Sequence, residues 1–249
     1  NPGLETGGRS IGLYPDLDWE TAVYVCARPG NTSVLERYTR QVEAYIQAAQ
    51  AFPYTVIEAD ATVEESAYIT DSYIGTSARL RAVEVSSSVL ASKENVTAVL
   101  GPGVVCRKSM LKPGVVLDSG TVVESCGIFE HSSLSRHAKA VESLLGPKIE
   151  FAEGEITASF AGPFTGFHHQ ALLISAYWPD GKGNIGCGAN VGSNHTSRMP
   201  DQEIRPGEGM FFGLGCSVKF PSNFEHAPYT VIATGTVTMP QKMEFPFSC

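Results

Sequence analysis

The stretch from Val99 to Phe129, VLGPGVVCRKSMLKPGVVLDSGTVVESCGIF, places an apolar residue at every sixth position. One such column is Val99, Val105, Leu111, Leu117, Val123 and Phe129. A second column beside it is Val104, Met110, Val116, Val122 and Ile128. A period of six is wrong for an amphipathic helix and too long for one strand. It is typical of a parallel β-helix in which each hexad makes one side of a triangular coil, and we predict an all-β fold dominated by such a coil.

Similar hexads lie on both sides of this stretch. They begin at Ile57, Val63, Ile74, Ile185, Val191 and Ile232. The phase breaks between Ser86 and Val96, where we expect a loop. Residues 54–130 and 149–249 are therefore predicted to form two blocks of the coil, the second ending in a C-terminal tail.

Two flanking helices are predicted from apolar residues at helical spacing. The first, SVLERYTRQVEAYIQAAQAF, starts with Ser33 and Glu36 as a capping box and follows an irregular arm, so that arm and helix occupy residues 1–53. The second, SLSRHAKAVESLLGP, is stopped by Gly146 and Pro147 and forms a helical insertion over residues 131–148.

The two apolar columns predict that the coil is covered on its outside. Adjacent strand residues point to opposite faces, so if Leu111 and its column point inward, Met110 and its column point outward. An apolar outer surface needs cover, which the helices or a partner subunit could provide.

Composition narrows the function classes. The chain has 249 residues and a formal net charge of −8, which argues against a protein that binds a nucleic-acid backbone. No run is long and apolar enough to span a membrane, and nothing resembles a signal peptide. The six cysteines are scattered without a CxxC pair, so we predict buried free thiols and a cytoplasmic protein.

The hexads IGTSAR, VEESAY, IGCGAN and IATGTV resemble the unit of the hexapeptide-repeat family of left-handed β-helix proteins. The resemblance covers residues 54–129 and 149–238. The stretches NVGSNHTSRMPDQE and PGEGMFFGLG are also similar to an uncharacterised group of long bacterial hexapeptide proteins. The resemblance implies a left-handed coil, a homo-oligomer that is typically a trimer, and acyl transfer from acetyl-CoA or an acyl carrier.

Two histidines occupy a repeat slot that usually holds a small residue. If FTGFHH is a hexad beginning at Phe164 and VGSNHT one beginning at Val191, His168 and His195 both fall in the fifth slot. They would stack on neighbouring rungs of the coil if YWPDGKGN, which lies between them, loops out about nine residues.

The resemblance implies roles for these and other residues. His195, or else His168 or His169, would be the base that takes a proton from an acceptor hydroxyl or amine. Gly213, Gly215 and Ser217 are the candidates for binding acyl-CoA. Arg198 could meet a phosphate, and Asp201 or Glu203 could orient an imidazole. Acetyl-CoA would be a co-substrate and a sugar or nucleotide sugar the acceptor, with no covalently bound cofactor and no metal.

Other interpretations stay open. The histidines could be structural residues of a non-catalytic scaffold, and we expect His137 and His226 to be inert in any case. A γ-carbonic-anhydrase-like metalloenzyme would need three histidine ligands, for which His131, His168 and His195 are available. The coil could also belong to a sugar nucleotidylyltransferase.

Overall fold

The computed structural model describes residues 9–93, 96–167, 169–194 and 203–249. Two helices precede the coil, α1 (Trp19–Cys26) and α2 (Thr32–Gln50). The described strands are short, with two to five residues each. They pair in parallel from one turn of the coil to the next, as β1 does with β4 and β12 with β15. The prediction of an all-β parallel coil is confirmed.

Three faces run along the coil. Face A contains β1 (Val56–Ile57), β4 (Tyr73–Ile74), β7 (Val89–Leu90), β10 (Met110–Leu111), β13 (Gly127–Ile128), β16 (Leu144–Leu145), β19 (Phe160–Ala161) and β22 (Tyr177–Trp178). A bridge between Ala176 and Ile204 continues it into a smaller sheet of β25 (Ile204–Arg205), β28 (Ser222–Asn223) and β31 (Gln241–Lys242).

Faces B and C have ten strands each. Face B contains β2 (Thr62–Glu64), β5 (Arg79–Arg81), β8 (Val99–Leu100), β11 (Val116–Leu117), β14 (Ser133–Ser135), β17 (Glu150–Ala152), β20 (Gly166–Phe167), β23 (Asn184–Ile185), β26 (Phe211–Phe212) and β29 (Val231–Ile232). Face C contains β3 (Tyr68–Thr70), β6 (Glu84–Ser86), β9 (Val105–Arg107), β12 (Val122–Glu124), β15 (Lys139–Val141), β18 (Glu155–Thr157), β21 (Leu172–Ile174), β24 (Asn190–Asn194), β27 (Ser217–Phe220) and β30 (Val237–Thr238).

One regular turn of the coil, which we call a rung, leads from Leu100 to its pairing partner Leu117, and the next from Leu117 to Leu134. This repeat is not a multiple of six, so the three sides of a rung are not all six residues long. Within the strands of the deciding stretch, the inward-facing core residues are Leu100, Cys106, Leu111, Leu117, Val123 and Ile128. Their spacing alternates irregularly between five and six, which explains why a strict six-residue frame drifts from one face of the strands to the other.

Because of this drift, about half of the residues in the two predicted columns do not point in the predicted direction. Leu111, Leu117 and Val123 do point into the core, and Val116 is exposed as predicted. Val104 and Ile128, predicted to point outward, belong to the core. Val99 and Val105 are only half-buried, while Phe129 is buried against the N-terminal arm instead of in the coil.

The predicted helical insertion over residues 131–148 is wrong, because the coil continues through it. This segment forms β14, β15 and β16, which continue faces B, C and A in turn. Leu134, Ala138, Ala140 and Leu145 are all core residues. Short strands joined by tight corners bury a side chain every two to five residues here, and that spacing imitates a helical pattern.

The predicted loop between Ser86 and Val96 is also shorter than expected. Face A strand β7 (Val89–Leu90) lies inside it, and the extra residues follow that strand. Val89 pairs with Met110, and Met110 with Gly127, so the rung that contains the loop is longer than the regular rung that follows it.

The N-terminal arm covers face A and confirms that helices supply part of the outer cover. The outward side chains of Met110, Leu144, Phe160 and Tyr177 are buried in a second cluster with residues of the arm, α1 and α2. At its centre, the Trp19 ring lies 5.3 Å from that of Phe129 and 4.6 Å from that of Phe160.

The helices of this arm differ in detail from the prediction. The helix α1 was not predicted; Asp18 caps it by accepting a hydrogen bond from Thr21 N. In α2 the cap is Asn31, which accepts from Val34 N, in place of the predicted Ser33–Glu36 box.

A ladder of buried hydroxyl groups runs along the corner before face A. Ser88 accepts a hydrogen bond from Ser109 N, Ser109 from Cys126 N, and Ser143 from Ser159 N, at 3.0–3.1 Å. Each hydroxyl satisfies a backbone N–H of the next rung that is sealed from water. The Cys126 sulfur takes the same place, 3.4 Å from Ser143 N.

Candidate active site

The corner between faces B and C carries the described residues that best match the predicted chemistry. Backbone hydrogen bonds connect this corner from rung to rung: Gln170 N donates to Glu153 O, Gly188 N to His169 O, Gly215 N to Cys187 O, and Gly235 N to Leu214 O, at 2.8–3.0 Å. Residues distant in sequence therefore lie in one column, about 4.8 Å apart from rung to rung.

His169 is held by a carboxylate at this corner. Its Nδ1 lies 3.4 Å from Glu153 Oε2, and Glu153 Oε1 lies 3.6 Å from Arg136 Nη1. The imidazole is about half exposed, so a ligand approaching along the outside of the coil could reach it. A carboxylate at Nδ1 favours the tautomer with the proton on Nδ1 and leaves Nε2 as the basic nitrogen. Sequence reasoning missed Glu153, whose only signal is that it precedes His169 by about one rung.

Beyond His169, the corner has an open strip formed by Gly188, Gly215 and Gly235. Each has a φ of +63° to +68°, and a Cβ at each position would find no other atom within 4 Å. The exposed thiol of Cys187 and the exposed side chain of Leu214 border this strip. Its smooth backbone surface could accept the extended chain of a cofactor.

Of the three predicted acyl-CoA residues, Gly213 and Gly215 lie at this corner and Ser217 begins the face C strand that follows it. Gly215 lies in the open strip. Gly213 is needed for packing, because a Cβ there would lie 2.5 Å from the carbonyl oxygen of Ile232. Ser217 is the first residue of β27, half-buried on face C.

Four predicted site residues, His168, His195, Arg198 and Asp201, lie outside the described residues, so their roles stay predictions. The frame used to pair the two histidines is wrong in two respects. Phe164 is 54% exposed at a corner and the core residue is Phe167, so FTGFHH is not a hexad in the assumed phase. YWPDGKGN contains Tyr177–Trp178 of β22 and does not loop out, because Gly166 pairs with Asn184 across a rung of nearly regular length.

The long rung lies elsewhere. Asn190 pairs with Ser217, a much larger offset than that of a regular rung, so the additional chain follows β24. The register between β24 and β27 also shifts between Val191 and Ser193.

Glu203 is engaged by two arginines. Its Oε1 lies 2.5 Å from Arg9 Nε, and its Oε2 lies 3.0 Å from Arg205 Nε. The Arg9 guanidinium also lies 4.1 Å above the ring of Tyr177, where burial raises the pKa of the phenol to about 12. Glu203 thus fastens the N-terminal arm to the coil.

His131 and His137 each pack against a glycine of the preceding rung. The His131 ring lies over Gly114 and the His137 ring over Gly120, where a Cβ would come within 2.6 Å and 2.5 Å of the respective Nδ1 atoms. Both glycines have positive φ. His131 also borders a groove of about 530 Å³ with Ser133, Lys148, Glu150 and Phe164. Within the described ranges, no group of three His, Cys, Asp or Glu side chains could hold a metal ion.

The prediction of buried free thiols is confirmed for four of the six cysteines and is wrong on burial for the other two. Cys26, Cys106, Cys126 and Cys216 are free and buried, whereas Cys187 and Cys249 are free and exposed. Burial raises the pKa of Cys106 and Cys126 to about 12, so those thiols stay protonated and unreactive.

Neither α1 nor α2 is long and apolar enough to cross a bilayer.

Comparison with known proteins gives a relative and a family for this chain. The chain is similar to a protein of Treponema pallidum (strain Nichols) named "Uncharacterized protein", with 23% identity over 265 residues. The alignment covers 100% of this chain and 34% of that relative, so the chain spans about a third of the relative's length. Residues 3–248 match a family described as "Domain of unknown function (DUF4954)", and the chain therefore belongs to that family.

Proposed function

We propose that this β-solenoid transfers an acyl group from a CoA-type donor to a hydroxyl or amine of a sugar or nucleotide sugar. The observation that carries the proposal is the contact between His169 and Glu153 beside the open strip of Gly188, Gly215 and Gly235. The resemblance of the repeat to hexapeptide-repeat acyltransferases supports the same reaction.

The reaction needs only one base. Nε2 of His169 takes the proton from the acceptor as its oxygen or nitrogen attacks the thioester carbonyl. The carbon–sulfur bond then breaks, and CoA leaves as a thiolate that takes this proton from the imidazolium and becomes a thiol. The negative charge of Glu153 stabilises the imidazolium that forms between these two steps. His195 and His168 are alternative bases in the same proposal.

Steady-state kinetics with acetyl-CoA and a set of nucleotide sugars and amino sugars tests this assignment. CoA release is best followed by chromatography, because the exposed thiols of Cys187 and Cys249 would react with thiol reagents. His169→Ala should lower kcat by about 10²- to 10⁴-fold, the usual contribution of a general base. Glu153→Gln should reduce it less, since the imidazole remains.

His137→Ala is the matched control. His137 is an exposed histidine at the same corner, two rungs earlier, stacked over Gly120. Its removal should leave kcat unchanged. Equal activity of His169→Ala and His137→Ala would refute His169 as the base, and a loss confined to His195→Ala or His168→Ala would move the role to that residue.

A further inference from the structure

In the first rung of the coil, residues 56–71, two apolar side chains are exposed at positions that are buried in the core in the next rung. Ile57 and Val63 occupy the register positions of Ile74 and Leu80 in the second rung. Ile74 and Leu80 are at most 1% exposed, but Ile57 is 51% and Val63 39% exposed. The apolar interior of the coil is therefore open at this end.

The backbone of this rung is also ready to pair. β1, β2 and β3 are each the edge strand of their sheet. Val56 N donates to Ser72 O and Glu58 N to Ile74 O, so residues 56 and 58 bond toward the second rung. In a parallel ladder the residue between them directs its N–H and C=O to the opposite side. Ile57 thus presents its backbone to an added strand.

The rim around this open end is acidic. Residues 52–78 contain Glu58, Asp60, Glu64, Glu65 and Asp71 and no basic residue. Arg79 and Arg81 of the second rung lie beside them, and Arg81 Nε is 3.3 Å from Glu65 Oε2, so residues 52–81 carry five negative and two positive charges, a net charge of −3. The side chains of Phe52 and Tyr54, directly before β1, are exposed and extend the apolar surface. An apolar centre with a negative rim is complementary to apolar residues that alternate with positive ones.

At the opposite end of the coil, the chain's own tail covers part of the last rung. Met243 packs against the core, Val231 N donates to Ser248 O, and the ring of Phe247 stacks on that of Tyr229 at 5.5 Å. Ile232, the core residue of the last face B strand, is only 5% exposed as a result. The core position of the last face B strand is therefore covered, although Val237, Phe245 and Phe247 near it are exposed, whereas Ile57 and Val63 of the first rung are not covered.

We propose that the first rung is a docking site for an extended polypeptide segment of a partner, in which apolar residues alternate with lysine or arginine. The segment adds a strand beside β1, β2 or β3, places its apolar side chains over Ile57 and Val63, and sets its positive charges against the acidic rim. A second copy in the same place would bring two acidic rims together, which like-charge repulsion opposes.

The test uses the whole chain and short synthetic peptides of alternating lysine and valine, lysine and serine, or glutamate and valine. Binding is measured by fluorescence anisotropy at physiological ionic strength. The lysine–valine peptide should bind at least about tenfold tighter than the lysine–serine peptide, since one buried valine contributes about that factor. The glutamate–valine peptide should show no binding. Equal binding of the two lysine peptides would overturn the proposal.

Two variants separate docking from simple attraction of charges. Val63→Asp should weaken binding of the lysine–valine peptide about tenfold, although it adds a negative charge, because it removes apolar contact. Glu64→Gln should weaken binding modestly and reduce its salt dependence. The matched control, Val237→Asp, changes an exposed valine of the last rung and should leave affinity unchanged.

Three results would overturn the proposal: unchanged affinity in Val63→Asp, equal losses in Val63→Asp and Val237→Asp, or self-association of the wild-type chain that Val63→Asp abolishes. The last result, read by sedimentation velocity, would assign the rung to a second copy. Circular dichroism checks that each variant is folded. If Val63→Asp does not fold, Val63→Ser takes its place, with the same outcomes.

Discussion

Replacing Ser143 by alanine tests the idea that the buried hydroxyl ladder holds the rungs in register. Ser143 is completely buried, donates its hydroxyl proton to Val141 O at 2.7 Å and accepts from Ser159 N at 3.1 Å. In Ser143→Ala, Val141 O keeps a partner because Ala158 N also donates to it at 3.0 Å. Only the buried Ser159 N–H loses its acceptor.

The expected cost follows from that one orphaned group. An unsatisfied buried N–H costs about 1–3 kcal/mol of the free energy of unfolding. For a chain of this size this corresponds to a decrease in Tm of roughly 2–12 °C. Ser143→Cys should lie between wild type and Ser143→Ala, because sulfur is a weak acceptor and Cys126 already occupies an equivalent place.

Thermal unfolding followed by circular dichroism provides the measurement. Ser135→Ala is the control, since Ser135 is a half-buried serine in β14 on face B, whose neighbour Leu134 is the core residue. Its Tm should change by less than about 1–2 °C, as for most surface substitutions. Equal Tm values for Ser143→Ala and Ser135→Ala would refute the argument that the ladder stabilises the coil.

Two further predictions concern the arm and the thiols. Trp19→Ala should weaken the packing of the arm on the coil by about 3–5 kcal/mol and raise the rate of hydrogen exchange in residues 9–50. Tyr24→Ala, at an exposed position of the same helix, should leave that rate unchanged. Unchanged exchange in Trp19→Ala would contradict the described packing. Alkylation of the native chain at mildly alkaline pH should label Cys187 and Cys249 alone, as read by mass spectrometry, because Cys26 and Cys216 are buried, as are Cys106 and Cys126, whose pKa burial raises to about 12. Below the ordinary thiol range, both the folded and the unfolded chain keep these two thiols protonated. As the pH rises from that range toward 12, the unfolded chain releases the protons first, so the free energy of unfolding should fall; constant stability across that range would contradict their burial.

The coil could be predicted from the sequence because each rung repeats the same spacing of apolar residues, and this repetition is the strongest signal in the sequence. It could not fix the frame, because the rung divides into sides of unequal length and a strict period of six must slip. Arg136, His137 and Glu142 turn the corners of residues 131–148 with positive φ. Because non-glycine residues turn these corners, no glycine marks them in the sequence and a helix was predicted.

The candidate site was predictable only in outline. The sequence indicates His169, Gly213 and Gly215 as site residues, and all three lie at one corner of the coil. The partner Glu153 depends on the length of one particular rung, which sequence periodicity did not reveal. The helix α1 could have been found, since Asp18 is a good cap and Trp19, Ala22 and Cys26 follow at helical spacing.

Titration of the chain with acetyl-CoA by calorimetry tests the proposed function most directly. We expect saturable binding at ligand concentrations up to the millimolar range. Gly215→Asn should weaken acetyl-CoA binding, because asparagine tolerates the left-handed backbone while its side chain fills the open strip. Gly30→Asn should leave binding unchanged, since Gly30 lies near α2 and has equal space around it. Absence of heat, or equal binding by both variants, would contradict a donor site at this corner.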